Sequence, residues 1–257
     1  MQNSFWGTLR FSYFTIPRIG SFLPRIDKCY FHRGKPFPDQ GGHFERIQVW
    51  KISVQNHTVT SETVQFGKGV GAADSFFAQK RSTLGAAVIF TAPGIPMIFM
   101  GQEFLEWGSW SDARELDWSK AARFSGIRDL YRDLIRLRRN WYDNTRGLKG
   151  HQVNVHHVND GDKLVAFHRW DRGGPRDDVV VVLNFANRSY PAYRIGLPRA
   201  GLWRVRFNGD WRGYSTGFTD QPSYDLWAMS GSNNDAMPFG GDVSIGPYTA
   251  LILSQDE

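Results

Sequence analysis

KRSTLGAAVIFTAPGIPMIFMGQEF, residues 80–104, joins a helix-like pattern to a continuously apolar run. Phe76, Phe77, Lys80, Leu84, Ala87 and Val88 fall at helical spacing, so a helix is expected over about residues 75–90. Asp74 or Ser75 is placed to cap its N-terminus, and Thr91-Ala92-Pro93-Gly94 stops it. The next six residues, Ile95-Pro96-Met97-Ile98-Phe99-Met100, are continuously apolar and closed by Gly101. Between two helices, such a run is expected to be a strand buried on both faces.

The neighbours extend this alternation. Upstream, Ile47-Gln48-Val49-Trp50-Lys51-Ile52-Ser53-Val54 has the β-branched and aromatic content of a strand, ending in the polar Gln55-Asn56-His57-Thr58. Downstream, an amphipathic helix is expected from Ser119 or Arg123 to Asn140. Its apolar stripe is Ile127, Leu130, Tyr131, Leu134, Ile135 and Leu137. Arg128, Arg132, Arg136 and Arg139 on its other face read as a solvated surface paired with Asp129 and Asp133, rather than as an anion site.

After Gly147 the pattern becomes all-β. Strands are expected over 152–158, 163–170, 178–185, 192–197, 202–208 and 244–254, the first two joined by an Asp160-Gly161 hairpin signal. A long Gly/Ser/Asp/Tyr-rich connection over 209–242 interrupts them. The fold class is therefore α/β plus all-β, with part of a parallel α/β unit followed by an antiparallel β-sandwich. Three segments follow: 1–46, poorly ordered, where Pro17, Pro24, Pro36 and Pro38 punctuate a patternless stretch; 47–146, the strand–helix part; and 147–257, the sandwich.

Composition narrows the function classes. The net charge of +6 is concentrated at the start: residues 1–51 hold eight Lys/Arg against three acids, and the rest holds 23 against 22. A nucleic-acid footprint needs a basic stripe on a folded surface, so nucleic acid is not an expected partner. Nor is a membrane, since no apolar stretch approaches 20 residues. Cys29 is the single cysteine and no signal-peptide pattern opens the chain, so a soluble, cytoplasmic protein is expected. Aromatics make up 15% of the residues. Most are expected in the core, although a Trp or Tyr ring with a flat apolar face and a polar edge also suits stacking on sugars.

Several segments resemble one family. Residues 80–104 look like the last helix–strand unit of the catalytic barrel in the α-amylase superfamily. GQEFLEWGSWSDARELDWS, residues 101–119, is similar to the loop after that strand in bacterial 1,4-α-glucan branching enzymes, where an acidic, Trp-containing loop ends in Leu-Asp-Trp, here Leu116-Asp117-Trp118. IRDLYRDLIRLRRNWYDNTRGL, residues 127–148, resembles the final barrel helix and its exit. VVVVLNFANRSY, GLWRVRFNGDW and SIGPYTALILS resemble the C-terminal β-sandwich of the same enzymes. The resemblance is collinear from Gly67 to Glu257. It implies a (β/α)₈ barrel remnant over 47–146, an α-amylase-type sandwich over 147–257, and α-glucan as the partner.

The resemblance also implies a chemistry, in which α-1,4-glucan is cleaved, held as a glycosyl-enzyme and transferred to a 6-hydroxyl. Retaining chemistry of this kind needs a nucleophile and an acid carboxylate about 5–5.5 Å apart. In the family both sit on barrel strands upstream of anything recognisable here, and a full barrel takes about 250 residues. The family's third acid follows an Asn/Ser-His pair. Asn56-His57 stands at a comparable strand end, but Thr58 follows it. No catalytic residue is therefore assigned, and the chain alone is expected to be inactive, since removing groups that act as a unit costs on the order of 10⁴–10⁶ in rate. The expected substrate-contacting residues are Asn56, His57, Glu103, Trp107 and Trp110. Glu106, Asp112, Glu115 and Asp117 read as an acidic rim to a sugar cleft. Trp118, Trp211 and Trp227 are further stacking candidates, each expected to be packed instead. No cofactor or metal is expected: adjacent His156-His157 on a strand would point to opposite faces, and no phosphate-cradling glycine fingerprint is present.

Overall fold

The computed structural model describes residues 75–106, 113, 115–230 and 235–257. The segment 1–46, the strand expected over 47–54, Asn56, His57, Trp107 and Trp110 lie outside the described residues.

The first helix, α1 (Phe76–Thr91), starts at Ser75, whose hydroxyl accepts from the Ala78 N–H at 3.2 Å. Two shorter elements replace the single later helix that was expected: α2 (Ser119–Arg123) and α3 (Ser125–Arg138). The chain bends between them at Phe124, a buried ring that joins the core instead of continuing the helix. Arg132 pairs with Asp129 at 2.8 Å and Arg136 with Asp133 at 3.5 Å, so these two arginines of α3 belong to a solvated, self-neutralised face.

Eight strands follow: β1 (Gln152–Asn159), β2 (Leu164–Trp170), β3 (Val179–Asn184), β4 (Tyr190–Leu197), β5 (Gly201–Asn208), β6 (Leu226–Ser230), β7 (Phe239–Ile245) and β8 (Thr249–Ser254). They form one antiparallel sheet in the order β1-β2-β3-β8-β5-β6-β7-β4, which folds over so that β6, β7 and β4 face the inner strands. Two sequence expectations change here. The long connection contains β6, a short strand paired between β5 and β7. The strand expected over 244–254 is two strands, β7 and β8, reversed at Gly246-Pro247-Tyr248. The two ends of the curled sheet meet through side chains: Tyr193 on β4 lies 3.0 Å from His157 Nε2 and accepts from Asn159 Nδ2 at 2.8 Å on β1.

Strand β3 explains the layering. All six of its residues are buried, which is unusual for an antiparallel strand with one wet face. Val179, Val181 and Leu183 point to a core shared with α1 and α3, including Leu84, Ala87, Phe90, Ile127, Leu130 and Leu134. Val180 and Val182 point the other way, into the sandwich with Ile195, Leu197, Trp203, Val243 and Leu251. β8 alternates likewise, with Ala250 and Ile252 toward the helices and Leu251 and Leu253 inward. Each such side chain contributes about 1.5–3 kcal/mol of burial. The boundary expected at 146/147 is thus crossed by a continuous core.

One buried ion pair ties the layers together. Lys80 on α1 and Asp210 after β5 are both 0% exposed, with Nζ 2.7 Å from Oδ1. The ammonium lies 4.4 Å from the centroid of the Phe218 ring. Burial lowers the Lys80 pKa, and Asp210 counteracts this. The other Asp210 oxygen accepts from Thr219 Oγ1 at 2.5 Å and from the Gln221 N–H at 2.8 Å, folding the 209–221 loop around the carboxylate. Gly246 is required beside it, because a Cβ there would come within 2.3 Å of Asp210 Oδ2.

Cutting one side of a buried pair leaves an uncompensated charge. Lys80→Met is expected to cost about 3–5 kcal/mol in urea unfolding. A cost below about 1 kcal/mol, the ordinary surface value, would mean the pair is not a structural centre.

Candidate functional site

The described residue among the five expected substrate contacts, Glu103, lies in the segment between α1 and α2, so the site is built from there. Two arginines hold the end of α1. Arg138 Nη1 donates to the carbonyls of Ala92 at 2.6 Å and Phe90 at 3.3 Å, and Nη2 donates to Gly94. Arg169 donates to the Thr91 carbonyl and, at 2.6 Å, to that of Gly150. Cations at a helix C-terminus meet its unsatisfied carbonyls and its dipole. Burial, then the charge of Arg138, lowers the Arg169 pKa to about 9.

Beyond this anchor the structure departs from expectation. Residues 95–100 are not a strand buried on both faces. Ile95 makes an isolated bridge, and Ile95, Met97, Phe99 and Met100 are 46–54% exposed. A strand exists only through its ladder partners, and among the described residues none runs alongside this segment. The apolar run therefore forms an exposed ledge.

Gly101 then turns the chain with φ +85°, where a Cβ would come within 2.5 Å of Glu106 Cβ. A 3₁₀ turn, Gln102–Phe104, follows, and Leu105 is also left-handed at φ 59°. The Glu106 N–H returns to the Gly101 carbonyl at 2.8 Å. Glu103 sits in this turn with one buried carboxylate oxygen, Oε2, that has no hydrogen-bond partner. It lies near Tyr131, whose phenol is pushed up by burial first and by the Glu103 charge as well.

Glu106 joins the described residues on the two sides of the acidic loop. Its Oε2 accepts from the Asp117 N–H at 3.0 Å and its Oε1 from Lys120 Nζ at 3.2 Å, with both side chains about nine-tenths buried. Asp117 accepts from the Ser119 hydroxyl at 2.5 Å, and this bond is the main cause holding its carboxyl below the usual range. Of the expected acidic rim, Glu106 and Asp117 are thus structural clamps. Sequence spacing carried no sign of the Glu106–Lys120 pair, which only the return of the chain creates. Trp118, expected to be packed, is 68% exposed with one ring contact to Phe104 at 5.4 Å. Trp211 and Trp227 are also exposed, at 54% and 66%.

A separate cleft of about 720 Å³ opens at one end of the sandwich, lined by His168, Trp170, Asp178, Arg199 and Gln255 among others. Its floor is self-satisfied. Asp178 accepts from the Gly174 N–H at 2.9 Å and Arg199 Nε at 2.7 Å, and lies 2.9 Å from His168 Nε2. Burial would raise the Asp178 pKa, but these partners outweigh it and hold the carboxyl low. The adjacent histidines do not combine into a metal site: β1 bulges between Val155 and His157, and His157 Nδ1 lies 2.7 Å from Asp235. Both ring nitrogens of His156 are buried, and burial, the largest influence on it, lowers its pKa. Among the described residues, no group of three or more His, Cys, Asp and Glu side chains is arranged to hold a metal ion.

Comparison with known proteins gives the class first. Residues 155–256 match the family "Alpha amylase, C-terminal all-beta domain", in agreement with the eight-stranded antiparallel sheet. The chain carries the C-terminal all-beta domain of the α-amylase superfamily. Its relatives narrow this further. It is 30% identical over 184 residues to the 1,4-alpha-glucan branching enzyme GlgB of Thermosynechococcus vestitus, covering 66% of this chain and 22% of that protein. To GlgB of Dechloromonas aromatica it is 31% identical over 249 residues, covering 88% and 38%. A pullulanase from Anoxybacillus sp. LM18-11, solved in complex with maltotetraose, aligns with TM-score 0.49 at 19% identity, over 72% of this chain and 24% of that one. The chain thus corresponds to the C-terminal part of 1,4-α-glucan branching enzymes, and it spans about a fifth of the length of the first such relatives.

The Glu106 clamp is testable by itself. Glu106→Ala removes its hydrogen bonds from the Asp117 N–H and Lys120, worth about 1 kcal/mol each, so proteolytic cleavage within 107–116 is expected to quicken about thirtyfold, as mapped by mass spectrometry. Unchanged cleavage would show that the loop is held by other contacts.

Proposed function

We propose that this chain serves α-glucan metabolism as the C-terminal part of a branching enzyme, contacting an α-1,4-glucan chain without turning it over by itself. The observation that carries this reading is the extended match to GlgB proteins, which runs through the acidic loop as well as the all-beta domain. The substrate-contacting residues of the proposal are Asn56, His57, Glu103, Trp107 and Trp110, with residues 47–146 as the barrel-derived part. Of these, Glu103 is the described residue, in the 3₁₀ turn that follows Gly101.

Inactivity of the chain alone follows from the chemistry. Glycosyl transfer with retention needs two carboxylates about 5–5.5 Å apart, one of them free to attack and one protonated. Glu106 is engaged by Lys120 and a backbone N–H, and Asp117 by Ser119. Neither is free for such a role. A second reading, a non-catalytic α-glucan-binding protein, is favoured by the exposure of Trp118, Trp211 and Trp227. A cytoplasmic setting belongs to both proposals. Among the described residues, no helix is long and apolar enough to cross a membrane.

The deciding assay is loss of iodine staining of amylose by the purified chain, with Thr58→Asp measured alongside. Neither protein is expected to reduce the stain, whereas glycogen cast in a native gel is expected to retard both. Stain loss by the unmodified chain would contradict the proposal, because it requires an acid pair that the reading does not contain.

A further inference from the structure

The second layer of the sandwich has an outward face opposite the one that packs on the helices. Strand alternation assigns its residues. On β6, Leu226 and Ala228 enter the sandwich core, so Trp227 and Met229 point away from it. On β5, Trp203 is in the core, so Leu202 and Arg204 point out, and Leu202 is the register partner of Trp227. Trp227 is 66% and Met229 61% exposed. On the same face Arg204 Nη1 donates to Asp225 at 2.9 Å, and the other Asp225 oxygen accepts from the Val205 N–H at 2.8 Å. Farther across, Arg194 on β4 pairs with Asp242 on β7 at 3.5 Å.

We infer that this face is a binding platform for a neutral polysaccharide chain, with Trp227 as the stacking surface. The inference rests on the α-glucan reading above for the identity of the sugar. A pyranose ring has apolar C–H faces and hydroxyls around its edge, and an indole offers a flat apolar face of similar size. Leu202 and Met229 extend that face. Arg204 and Asp225, held in place by each other and by a backbone amide, put donors and acceptors at its edge. Because these charges are already neutralised in pairs, a neutral hydroxylated ligand fits better than an ionic one. A protein partner fits less well, since a stable interface buries about 800 Å² per side and the apolar side chains assigned to this face among the described residues are Leu202, Trp227 and Met229.

The test is affinity electrophoresis of the full chain in native gels containing graded glycogen, comparing the unmodified protein with Trp227→Ala, Arg204→Ala and Trp141→Ala. Trp141 is 64% exposed but follows α3, far along the chain from this face. Trp227→Ala is expected to weaken glycogen affinity about tenfold or more, the usual effect of removing an aromatic anchor. Arg204→Ala is expected to weaken it less, and Trp141→Ala to leave it unchanged. Far-UV circular dichroism should be identical for all four, because the altered side chains are largely exposed. Retardation of the unmodified chain that survives in Trp227→Ala would overturn this platform while leaving glucan binding intact elsewhere. No retardation of the unmodified chain would overturn the α-glucan reading together with the platform. Sedimentation of the same samples covers the remaining case: a dimer lost in Trp227→Ala with unchanged glycogen affinity would make the face a contact between copies and overturn the proposal.

Discussion

A lysine ammonium buried in an apolar helix–sheet interface has to be answered by a carboxylate, and the position of that carboxylate fixes much of this molecule. Lys80 leaves α1 toward the sheet, where Asp210 meets it at 2.7 Å with both groups fully out of water. Because each charge alone would cost several kcal/mol to bury, neither can move without the other. Asp210 also gathers Thr219 and Gln221, so the loop after β5 is shaped by the same carboxylate that docks the helix. Tyr214 in that loop reaches Asp133 on α3 at 2.8 Å, adding a second polar tie between loop and helices.

Around this lock, β3 and β8 serve two cores at once. Their odd and even residues are both apolar because one face meets the helices and the other meets the folded-over strands. The helices therefore take the place that solvent would hold for an ordinary half-wet antiparallel sheet. The contrast with residues 95–100 is instructive, since an equally apolar run is left exposed where no described strand lies beside it. Apolar content decides that a segment seeks burial. Only neighbours decide whether it becomes a strand.

That distinction marks how far the sequence could be read. Local signals were legible: Ser75 as a cap, the α3 stripe, the Asp160-Gly161 hairpin and the four valines of β3 all act through neighbours a few residues away. The Leu116-Asp117-Trp118 loop and the sandwich motifs pointed to the superfamily because motif order survives without coordinates. Contacts that join distant segments were not legible. Lys80 was read only as one residue at the helical spacing of its helix, and nothing in the sequence named a partner 130 positions away. Glu106 read as one acid of a rim until the chain's return placed Asp117 and Lys120 against it. The short β6 was concealed in a polar connection, and with it the outward orientation of Trp227.

Helices and sandwich are expected to form one cooperative unit closed by Lys80 and Asp210. Native-state hydrogen exchange, resolved by mass spectrometry, measures this most directly, since segments of one cooperative unit open only with global unfolding. The slowest amides of α1 and α3 are expected to share the protection of β3 and β8. Helix amides that exchange orders of magnitude faster than the two central strands would contradict the claim, and would make the sandwich an independent body to which the helices are loosely attached.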